Sequence, residues 1–356
     1  MDSGNTWPNL LTQLLDLQDL SISQAAWAME QILNGQVSDA SLAAFLVALR
    51  AKGEAVHEII GFRDSILEAA NDLEISSMAL DIVGTGGDMV GTFNISSTAS
   101  IICAAAGVPV IKHGNRAFSS QSGSSDILSE LGVNLKLSAE DLARVFEACG
   151  ITFVFAGLFH QGFRHASNVR KDLGIPTVFN FLGPLSNPAR PEASAVGVSS
   201  IEKAPLIAGV FQTRGAAALV FRGDDGLDEI TTTGHSHIWE VSGGLIREHD
   251  FDPRDLGIKR ARLDDLLGGS PQENAAQLKR LFAGEQGAVR DIVLLNAAGG
   301  LTAYELAQNP ESFETNFVDR MKHNYARATQ ALDSGAAAKK LEDWIRVSNA
   351  AEASEH

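Results

Sequence analysis

The sequence has few cysteines, few basic residues relative to acidic ones, and no long apolar run. Cys103 and Cys149 are the only cysteines in 356 residues, which excludes a disulfide-rich scaffold. Both lie in apolar or helical patterns, so we predict reduced core thiols and a reducing compartment. There are 28 Lys and Arg against 44 Asp and Glu, a formal net charge of −16. A field of that sign repels phosphate polymers, which argues against nucleic acid or an anionic membrane as a partner.

Signals for secretion and membrane insertion are also lacking. Residues 1–5 show no basic region followed by an apolar one, so no signal peptide is predicted. The most apolar long segment, 99–111, contains Gly107 and Pro109 and is too short for a spanning helix. We therefore expect a soluble cytoplasmic protein. Zinc-ligand spacing, a Gly-x-Ser-x-Gly elbow and internal repeats are absent from the sequence as well.

Two patterns divide the chain. Residues 8–72 show helical spacing of apolar residues, with Ser21 and Gln24 as a capping box and Gly53 as a break. From residue 79 onward, short apolar runs alternate with helical patterns, which indicates a largely parallel sheet. Strands are predicted at 80–83, 108–111, 151–155 and 217–221, with a hairpin at 238–249. The predicted class is α/β, a small α-helical domain (1–75) plus a larger α/β domain (76–349) with a mainly parallel central sheet, a hinge near 157–190 and a frayed tail at 350–356.

A glycine-rich stretch follows the first predicted strand. It reads Gly84-Thr85-Gly86-Gly87-Asp88 and leads to a helix that begins near Asn94. Glycines let backbone N–H groups approach an anion, and the positive end of a helix also favours phosphate. The stretch is not a dinucleotide fingerprint, since position 89 is Met, and it is not a P-loop, since no Gly-Lys-Ser/Thr follows. A tight turn with ordinary helix capping by Asn94, Ser96 and Ser97 is the alternative.

A cationic corner follows the second predicted strand, at the edge where α/β sheets place ligands. Its residues are Lys112, His113, Asn115 and Arg116, and the hydroxyl-rich run 119–125 comes shortly after them. Fixed cations beside hydroxyls suit a phosphorylated ligand. The alternative is a surface salt-bridge network beside a flexible polar loop.

A run of four carboxylates follows the strand predicted at 217–221. It consists of Asp224, Asp225, Asp228 and Glu229. Mg²⁺ is often held by one or two carboxylates together with substrate phosphates and water. Adjacent Asp228 and Glu229 therefore indicate a site for one or two Mg²⁺ ions, with Ser96 as a further candidate ligand. An acidic surface loop is the alternative.

A second cationic group lies at 160–171 and consists of His160, Arg164, His165, Arg170 and Lys171. Most of these residues are typical of a solvated helix face. For Arg170 we favour binding of a carboxylate, because a planar guanidinium matches that group.

The motifs in their order resemble the anthranilate phosphoribosyltransferase family along nearly the whole chain. The resemblance is carried by residues 46–54, 84–88, 112–116, 169–174, 179–188 and 226–229. It implies transfer of phosphoribose from phosphoribosyl pyrophosphate to the amine of anthranilate, with two Mg²⁺ ions. That reaction is the second step of tryptophan biosynthesis from chorismate. The resemblance also implies a homodimer formed through the helical domain.

The resemblance assigns site residues as well. It implies contact with phosphoribosyl pyrophosphate at Gly84, Gly87, Asp88, Thr92, Asn94, Ile95, Ser96, Ser97, Lys112, His113, Gly114, Asn115, Arg116, Ala117, Phe118, Ser119, Ser120 and Ser124. It implies contact with anthranilate at Gly84, Asn115, Arg170 and His160, and metal binding at Ser96, Asp228 and Glu229. No side chain is assigned as acid, base or nucleophile, so catalysis is expected from positioning and electrostatics.

Two positions depart from the family pattern. Ser97 stands where the family usually has Thr and keeps the hydroxyl, and Met89 stands where a small residue is common. Three alternatives stay open. They are a pyrimidine nucleoside phosphorylase-like enzyme, a non-catalytic phosphate- or nucleic-acid-binding relative, and a phosphoribosyltransferase for another aromatic carboxylate.

Overall fold

The chain forms two structural units, and the first is discontinuous in sequence. A computed structural model describes residues 4–116 and 121–352. One unit, called the helical unit below, contains Met1–Asp72 and Ala156–Pro188. The other, called the α/β unit, contains Leu73–Phe155 and Ala189–His356.

Helices make up most of the regular structure in the described residues. In chain order they are α1 (Trp7–Leu15), α2 (Ile22–Leu33), α3 (Asp39–Lys52), α4 (Val56–Glu68), α5 (Ile95–Ala105), α6 (Ser124–Leu131), α7 (Ala139–Cys149), α8 (Ala156–Phe159), α9 (Ser167–Leu173), α10 (Ala204–Arg214), α11 (Pro271–Phe282), α12 (Ala288–Gln308), α13 (Phe317–Asp333) and α14 (Ala336–Glu352). The last helix includes 350–352, which the sequence assigns to the frayed tail. None of these helices is both long and apolar enough to cross a membrane.

The helical unit begins with four helices whose ends follow the predicted signals. Ser21 Oγ accepts from Gln24 N at 3.2 Å, and Gln24 Oε1 accepts from Ser21 N at 2.9 Å, which completes the capping box of α2. Gly53 ends α3 with φ 86°, a value that favours glycine. Leu10 and Phe45 have no exposed surface and belong to the core of this unit.

A buried ion pair joins the helix ends of this unit. Glu58, fully buried in α4, accepts from Lys52 Nζ at 2.9 Å. The same carboxylate also accepts from Leu20 N and Ala55 N, both at 2.8 Å. One carboxylate therefore holds the α1–α2 connection, the end of α3 and the start of α4 together.

The α/β unit is built on one sheet of seven strands, in the order β3-β2-β1-β4-β5-β6-β7. The strands are β1 (Leu80–Gly84), β2 (Val110–Gly114), β3 (Ile151–Phe155), β4 (Ala193–Gly197), β5 (Ala217–Gly223), β6 (Ser236–Ser242) and β7 (Leu245–Phe251). β1 to β5 are parallel, and β6 and β7 add an antiparallel hairpin. The predicted fold class is therefore confirmed.

Strand β4 has no counterpart among the predicted strands. Its sequence, Ala-Ser-Ala-Val-Gly, is fully buried between β1 and β5. Small residues at that position let helices pack close to the sheet, but they weaken the apolar signal that identifies a strand.

The β6–β7 hairpin carries a buried charge of its own. Glu240, with no exposed surface, accepts from Arg320 of α13 at 2.5 Å and pairs with His249 Nε2 at 2.8 Å. His249 in turn stacks on Phe317 with ring centroids 4.1 Å apart. The carboxylate is thus neutralised by groups from the same unit.

Candidate active site

The candidate site lies at the carboxyl ends of β1, β2, β4 and β5. Parallel strands place their carboxyl ends on one edge of a sheet, where α/β proteins bind ligands. The first loop (residues 85–94) follows β1, and the second loop (residues 115–123) follows β2. Ala117, Phe118, Ser119 and Ser120 of the predicted site lie outside the described residues.

Glycines in the first loop have backbone angles that other residues avoid. Gly86, Gly87 and Gly91 have φ 67°, 83° and 74°. Met89 also has a positive φ, 60°, and its side chain is 79% exposed. A methionine in this left-handed region costs roughly 1–2 kcal/mol relative to the right-handed one. The first loop therefore keeps a left-handed turn at Met89 as well as at its glycines.

Asp228 is half-buried and Glu229 is buried, directly beside the first loop. Gly86 N donates to Asp228 Oδ2 at 2.7 Å. Burial, and then the charge of Asp88, raise the pKa of Asp228. Burial, and then the charge of Asp228, raise the pKa of Glu229 well above its ordinary value, and a hydrogen bond from Ser96 N opposes that rise. The site therefore crowds negative charge, and a cation would relieve that crowding.

Two glycines make room for Asp228. A Cβ on Gly84, the last residue of β1, would lie 2.3 Å from Asp228 Oδ2. A Cβ on Gly197, the last residue of β4, would lie 1.7 Å from the Asp228 carbonyl oxygen. Both positions require glycine because of this close approach. Gly84 therefore lines the carboxylate, in addition to the ligand contact that the sequence predicts for it.

Lys112 and His113 belong to strand β2, whereas the sequence places them after a strand ending at Ile111. This is a correction: pairing with β3 continues through Lys112↔Phe153 to the end of the strand. Lys112 is 2% exposed, and its Nζ donates to the Ile82 carbonyl and, at 3.4 Å, to Ser96 Oγ. Burial lowers its pKa, and the charges of Asp81 and Glu229 oppose that change. A surface salt-bridge network is therefore wrong for Lys112.

The end of β2 leads to more exposed candidates. Asn115 and Arg116 are exposed, and Asn115 Oδ1 accepts from Arg116 N at 2.8 Å. The Asn115 carbonyl accepts from Ser124 Oγ at 3.2 Å. A Cβ on Gly114 would lie 2.2 Å from that same hydroxyl oxygen, so Ser124 packs tightly against the strand end.

The start of α5 does not show the ordinary capping that was the alternative for Asn94. Asn94 makes no side-chain cap to α5. Its Nδ2 donates to the Ser122 carbonyl at 3.0 Å, and its Oδ1 accepts from Ser122 Oγ at 3.0 Å. Within the described part of the chain, Ser97 Oγ is buried and has no hydrogen-bond partner. The first loop is thus hydrogen-bonded to Ser122 of the second loop, and a buried hydroxyl at the helix start has no hydrogen-bond partner among the described residues.

Arg170 and His160 lie in the helical unit, where two phenylalanine rings connect them through successive contacts. The Arg170 guanidinium lies 5.2 Å from the ring centroid of Phe179. Phe179 packs edge-on against Phe163 at 5.7 Å, and Phe163 stacks on His160 at 5.5 Å. Burial lowers the pKa of Arg170, and burial lowers that of His160 to about 4. His160 is therefore neutral near pH 7 and Arg170 is held by a ring face.

One further residue holds the segment that carries the carboxylates and has no sequence signal. Asn296 of α12, fully buried, accepts from Ile230 N and donates to the Ile230 carbonyl, both at 2.9 Å. This doubly bonded amide fixes the residue directly after Glu229. A buried Asn in a helix looks like a surface Asn in sequence, so its role could not be read from the chain.

The donor set fits a metal site that is shared with a ligand. Within residues 4–116 and 121–352, no group of three or more His, Cys, Asp or Glu side chains is arranged to hold a metal ion. Mg²⁺ nevertheless takes few protein ligands when substrate phosphates complete its shell. The enclosed pair of Asp228 and Glu229, with raised pKa values, fits such a partial site.

Two family models of one class of enzyme match the chain. Residues 76–338 match the glycosyl transferase family, a/b domain, and residues 8–70 match the glycosyl transferase family, helical bundle domain. The fold and the glycine- and hydroxyl-rich loops thus define a glycosyl transferase.

Relatives narrow the class. The anthranilate phosphoribosyltransferase of Leifsonia xyli subsp. xyli (strain CTCB07) is 60% identical over 345 residues, which cover 97% of this chain and 99% of that protein. The crystal structure of anthranilate phosphoribosyltransferase from Thermus thermophilus superposes with a TM-score of 0.87 at 38% identity, covering 96% of this chain and 99% of that one. The chain therefore belongs to the anthranilate phosphoribosyltransferase family of enzymes, as its motifs predict.

Structures of the Saccharomyces cerevisiae anthranilate phosphoribosyltransferase include complexes with ligands. One is in complex with PRPP and Mg, with a TM-score of 0.85, 28% identity, and coverage of 97% of this chain and 98% of that one. Another is in complex with 4-fluoroanthranilate, with a TM-score of 0.83, 27% identity, and coverage of 97% and 99%.

Proposed function

We propose that this protein transfers the phosphoribosyl group of phosphoribosyl pyrophosphate to the amine of anthranilate. The products are N-(5-phosphoribosyl)anthranilate and pyrophosphate, and the reaction is Mg²⁺-dependent. The observation that carries the proposal is the enclosed pair Asp228 and Glu229 beside a glycine-rich loop and buried Lys112. The yeast relative's complexes with PRPP and Mg and with 4-fluoroanthranilate support it.

The donor is proposed to bind at both loops and the adjoining helix starts. The residues are those named above from Gly84 to Ser124, including the four that lie outside the described residues. Backbone N–H groups of the glycine loop and the start of α5 would meet phosphate oxygens. Asn115 and Arg116 are exposed at the end of β2, so a ligand can reach them from solvent.

Asp228, Glu229 and Ser96 are the proposed holders of two Mg²⁺ ions. When bound, Mg²⁺ would stabilise the charge that develops on the departing pyrophosphate. Glu229 accepts from Ser96 N and Asp228 Oδ2 accepts from Gly86 N, so both carboxylates are oriented before a ligand arrives. This preorganisation is what electrostatic catalysis requires.

The acceptor needs no strong base. An aryl amine is neutral near pH 7 and carries a lone pair, so orientation is the main task. We propose that Arg170 faces the anthranilate carboxylate, that Gly84 and Asn115 contact the molecule, and that neutral His160 lines its path. The ring of Phe179 restrains Arg170 and lowers the entropy lost when the guanidinium binds.

The biological setting is proposed with the reaction: the second step of tryptophan biosynthesis, in the cytoplasm, in a homodimer. Two free, buried cysteines support a reducing compartment. Large apolar side chains exposed in the helical unit support association through that unit, and they include Leu15 and Leu17 (each 72% exposed), Ile22 (47%) and Val47 (41%).

The test mixes the protein with phosphoribosyl pyrophosphate and anthranilate, with and without Mg²⁺, and follows anthranilate fluorescence. We expect a Mg²⁺-dependent loss of fluorescence and stoichiometric pyrophosphate. No Mg²⁺-dependent loss would overturn the proposal. Uridine or thymidine phosphorolysis without Mg²⁺ would favour the phosphorylase alternative. Faster turnover of another aromatic carboxylate would favour a different acceptor. Tight DNA binding without turnover would favour a non-catalytic role.

A further inference from the structure

The chain just before α11 pairs with the first loop. Thr92 and Leu267 form an isolated antiparallel bridge, and Phe93 N donates to the Leu266 carbonyl at 2.9 Å. A Cβ on Gly268 would lie 2.8 Å from the Thr92 carbonyl oxygen and 2.9 Å from Phe93 Cα. The first loop is therefore packed against a segment far away in sequence, at a distance that leaves no room for a side chain.

Asn274 reaches the first loop from this segment. It lies in α11 and is 1% exposed. Its Oδ1 accepts from Gly269 N at 2.8 Å, which fixes the orientation of the amide because only the oxygen can accept. Its Nδ2 then faces Asn94 and donates to Asn94 Oδ1 at 2.8 Å.

Asn94 receives two donors on one oxygen. Ser122 Oγ and Asn274 Nδ2 both donate to Asn94 Oδ1, and Asn94 Nδ2 donates to the Ser122 carbonyl. Asparagine is among the best N-cap residues, and an N-cap side chain accepts from the second or third N–H of its helix. Here the oxygen is turned away from α5, so the Ser97 N–H is not consumed by a cap.

We propose that Asn274 is a positioning residue for the binding of phosphoribosyl pyrophosphate. It holds the Asn94 amide in the direction that joins the two loops and keeps the start of α5 open to phosphate. The inference rests on the proposed function of these loops. Without the hydrogen bond from Asn274, the Asn94 amide loses one of the three hydrogen bonds described above and turns back more readily to cap α5. There it competes with a phosphate oxygen for backbone N–H groups.

The test compares Asn274→Leu and Asn274→Asp with the unmodified protein at saturating Mg²⁺ in mildly alkaline buffer. Leu removes both hydrogen bonds, whereas Asp keeps the acceptor for Gly269 N and removes the donor to Asn94. We expect both variants to raise KM for phosphoribosyl pyrophosphate by roughly tenfold or more, the scale of a lost buried hydrogen bond, with KM for anthranilate unchanged.

Asn324→Leu is the matched control. Asn324 is equally buried in α13 of the same unit and donates to Thr302 Oγ1 at 3.0 Å and Glu305 Oε2 at 2.8 Å. We expect it to lose thermal stability and to leave both KM values unchanged. In the double variant with Asn94→Ala, the Asn274→Leu effect on donor KM should largely disappear, since one acts through the other.

An Asn274→Asp variant with wild-type kinetics would overturn the inference, because the Gly269 contact alone would then suffice. Equal increases of both KM values, or full additivity with Asn94→Ala, would overturn it too. Calorimetric measurement of phosphoribosyl pyrophosphate binding with Mg²⁺ in the same variants separates the positioning role of Asn274 from the proposed reaction. Tight donor binding without turnover means that the proposed reaction fails, and a weaker affinity in both Asn274 variants would still support the positioning role.

Discussion

Two enclosed carboxylate groups in the α/β unit differ in what neutralises them. Glu240 is paired with Arg320 and His249 from neighbouring elements. Asp228 and Glu229 instead adjoin each other and Asp88, with buried Lys112 as the cation that lowers the pKa of Glu229. Glu240 has basic partners within the protein, whereas the group around Asp228 and Glu229 has more acidic side chains than basic ones. Burial alone therefore does not mark a functional carboxylate; the imbalance of its surroundings does.

The helical unit repeats the arrangement seen at Glu240. Glu58 is as buried as Glu240 and is satisfied by Lys52 and two backbone N–H groups. Burial alone does not separate Glu58 from Glu229, since both side chains are shielded from solvent. The distinction comes from the partners that the fold supplies.

The largest expected effect concerns the surplus of acidic side chains around Asp228 and Glu229. In the double variant Asp228→Asn and Glu229→Gln, turnover should fall by roughly a thousandfold or more, since preorganised charge stabilisation is lost. Thermal stability without Mg²⁺ should hold or rise, because enclosed like charges are removed. Steady-state kinetics with a Mg²⁺ titration and thermal unfolding measure both. Exposed Asp224→Asn is the control, and a marked fall in the double variant's melting temperature would break the comparison.

The second effect concerns Glu240, whose basic partners lie within the protein. Glu240→Ala should lower the free energy of unfolding by about 3–5 kcal/mol, since Arg320 is left buried without its partner. Urea unfolding measures the loss, and both KM values should stay unchanged. Glu248→Ala removes the exposed partner of His237 and should cost about 1 kcal/mol or less. Equal losses in the two variants would refute the role assigned to burial.

A third effect concerns a buried group that stays neutral. The pKa of His160 is about 4 in the folded protein, against an ordinary value of 6.5. The unfolded chain therefore binds the proton first, and stability present above pH 6.5 is lost as pH falls towards about 4. The loss is about 3 kcal/mol at roughly 1.36 kcal/mol per pKa unit.

His160→Phe should remove this part of the acid sensitivity. Urea unfolding at a series of pH values measures it, with the half-buried His57→Phe as the control. An unchanged pH profile in His160→Phe would show that His160 is not held neutral by burial.

Much of the architecture could be predicted from the sequence. The capping box at Ser21, the glycine at the end of α3 and the strand at 151–155 depend on local chemistry, and local chemistry is visible in a sequence. Strand β4 could not be predicted, since its buried position depends on neighbours from both sides of the sheet. Strand β2 extends beyond its apolar run because Lys112 is buried by contacts that only the fold provides.

The same limit applies to the candidate site. Glycines, hydroxyls and adjacent carboxylates indicated which residues to examine. Asn274 and Asn296 carried no signal, because each is an ordinary helical asparagine until the tertiary structure turns it towards a loop. Residue types thus predict the groups that touch a ligand better than the groups that hold them.

The crowding of strand ends around Asp228 has an evolutionary consequence. A side chain at position 197 would collide with the Asp228 backbone, and one at position 84 with its carboxylate. Neither glycine can change while Asp228 remains where it is, and relief at 84 alone leaves the collision at 197. Substitutions at positions 84, 197 and 228, which are far apart in the chain, therefore constrain one another. A lineage that abandons this carboxylate gains freedom at 84 first, whereas 197 stays closed until the backbone itself moves.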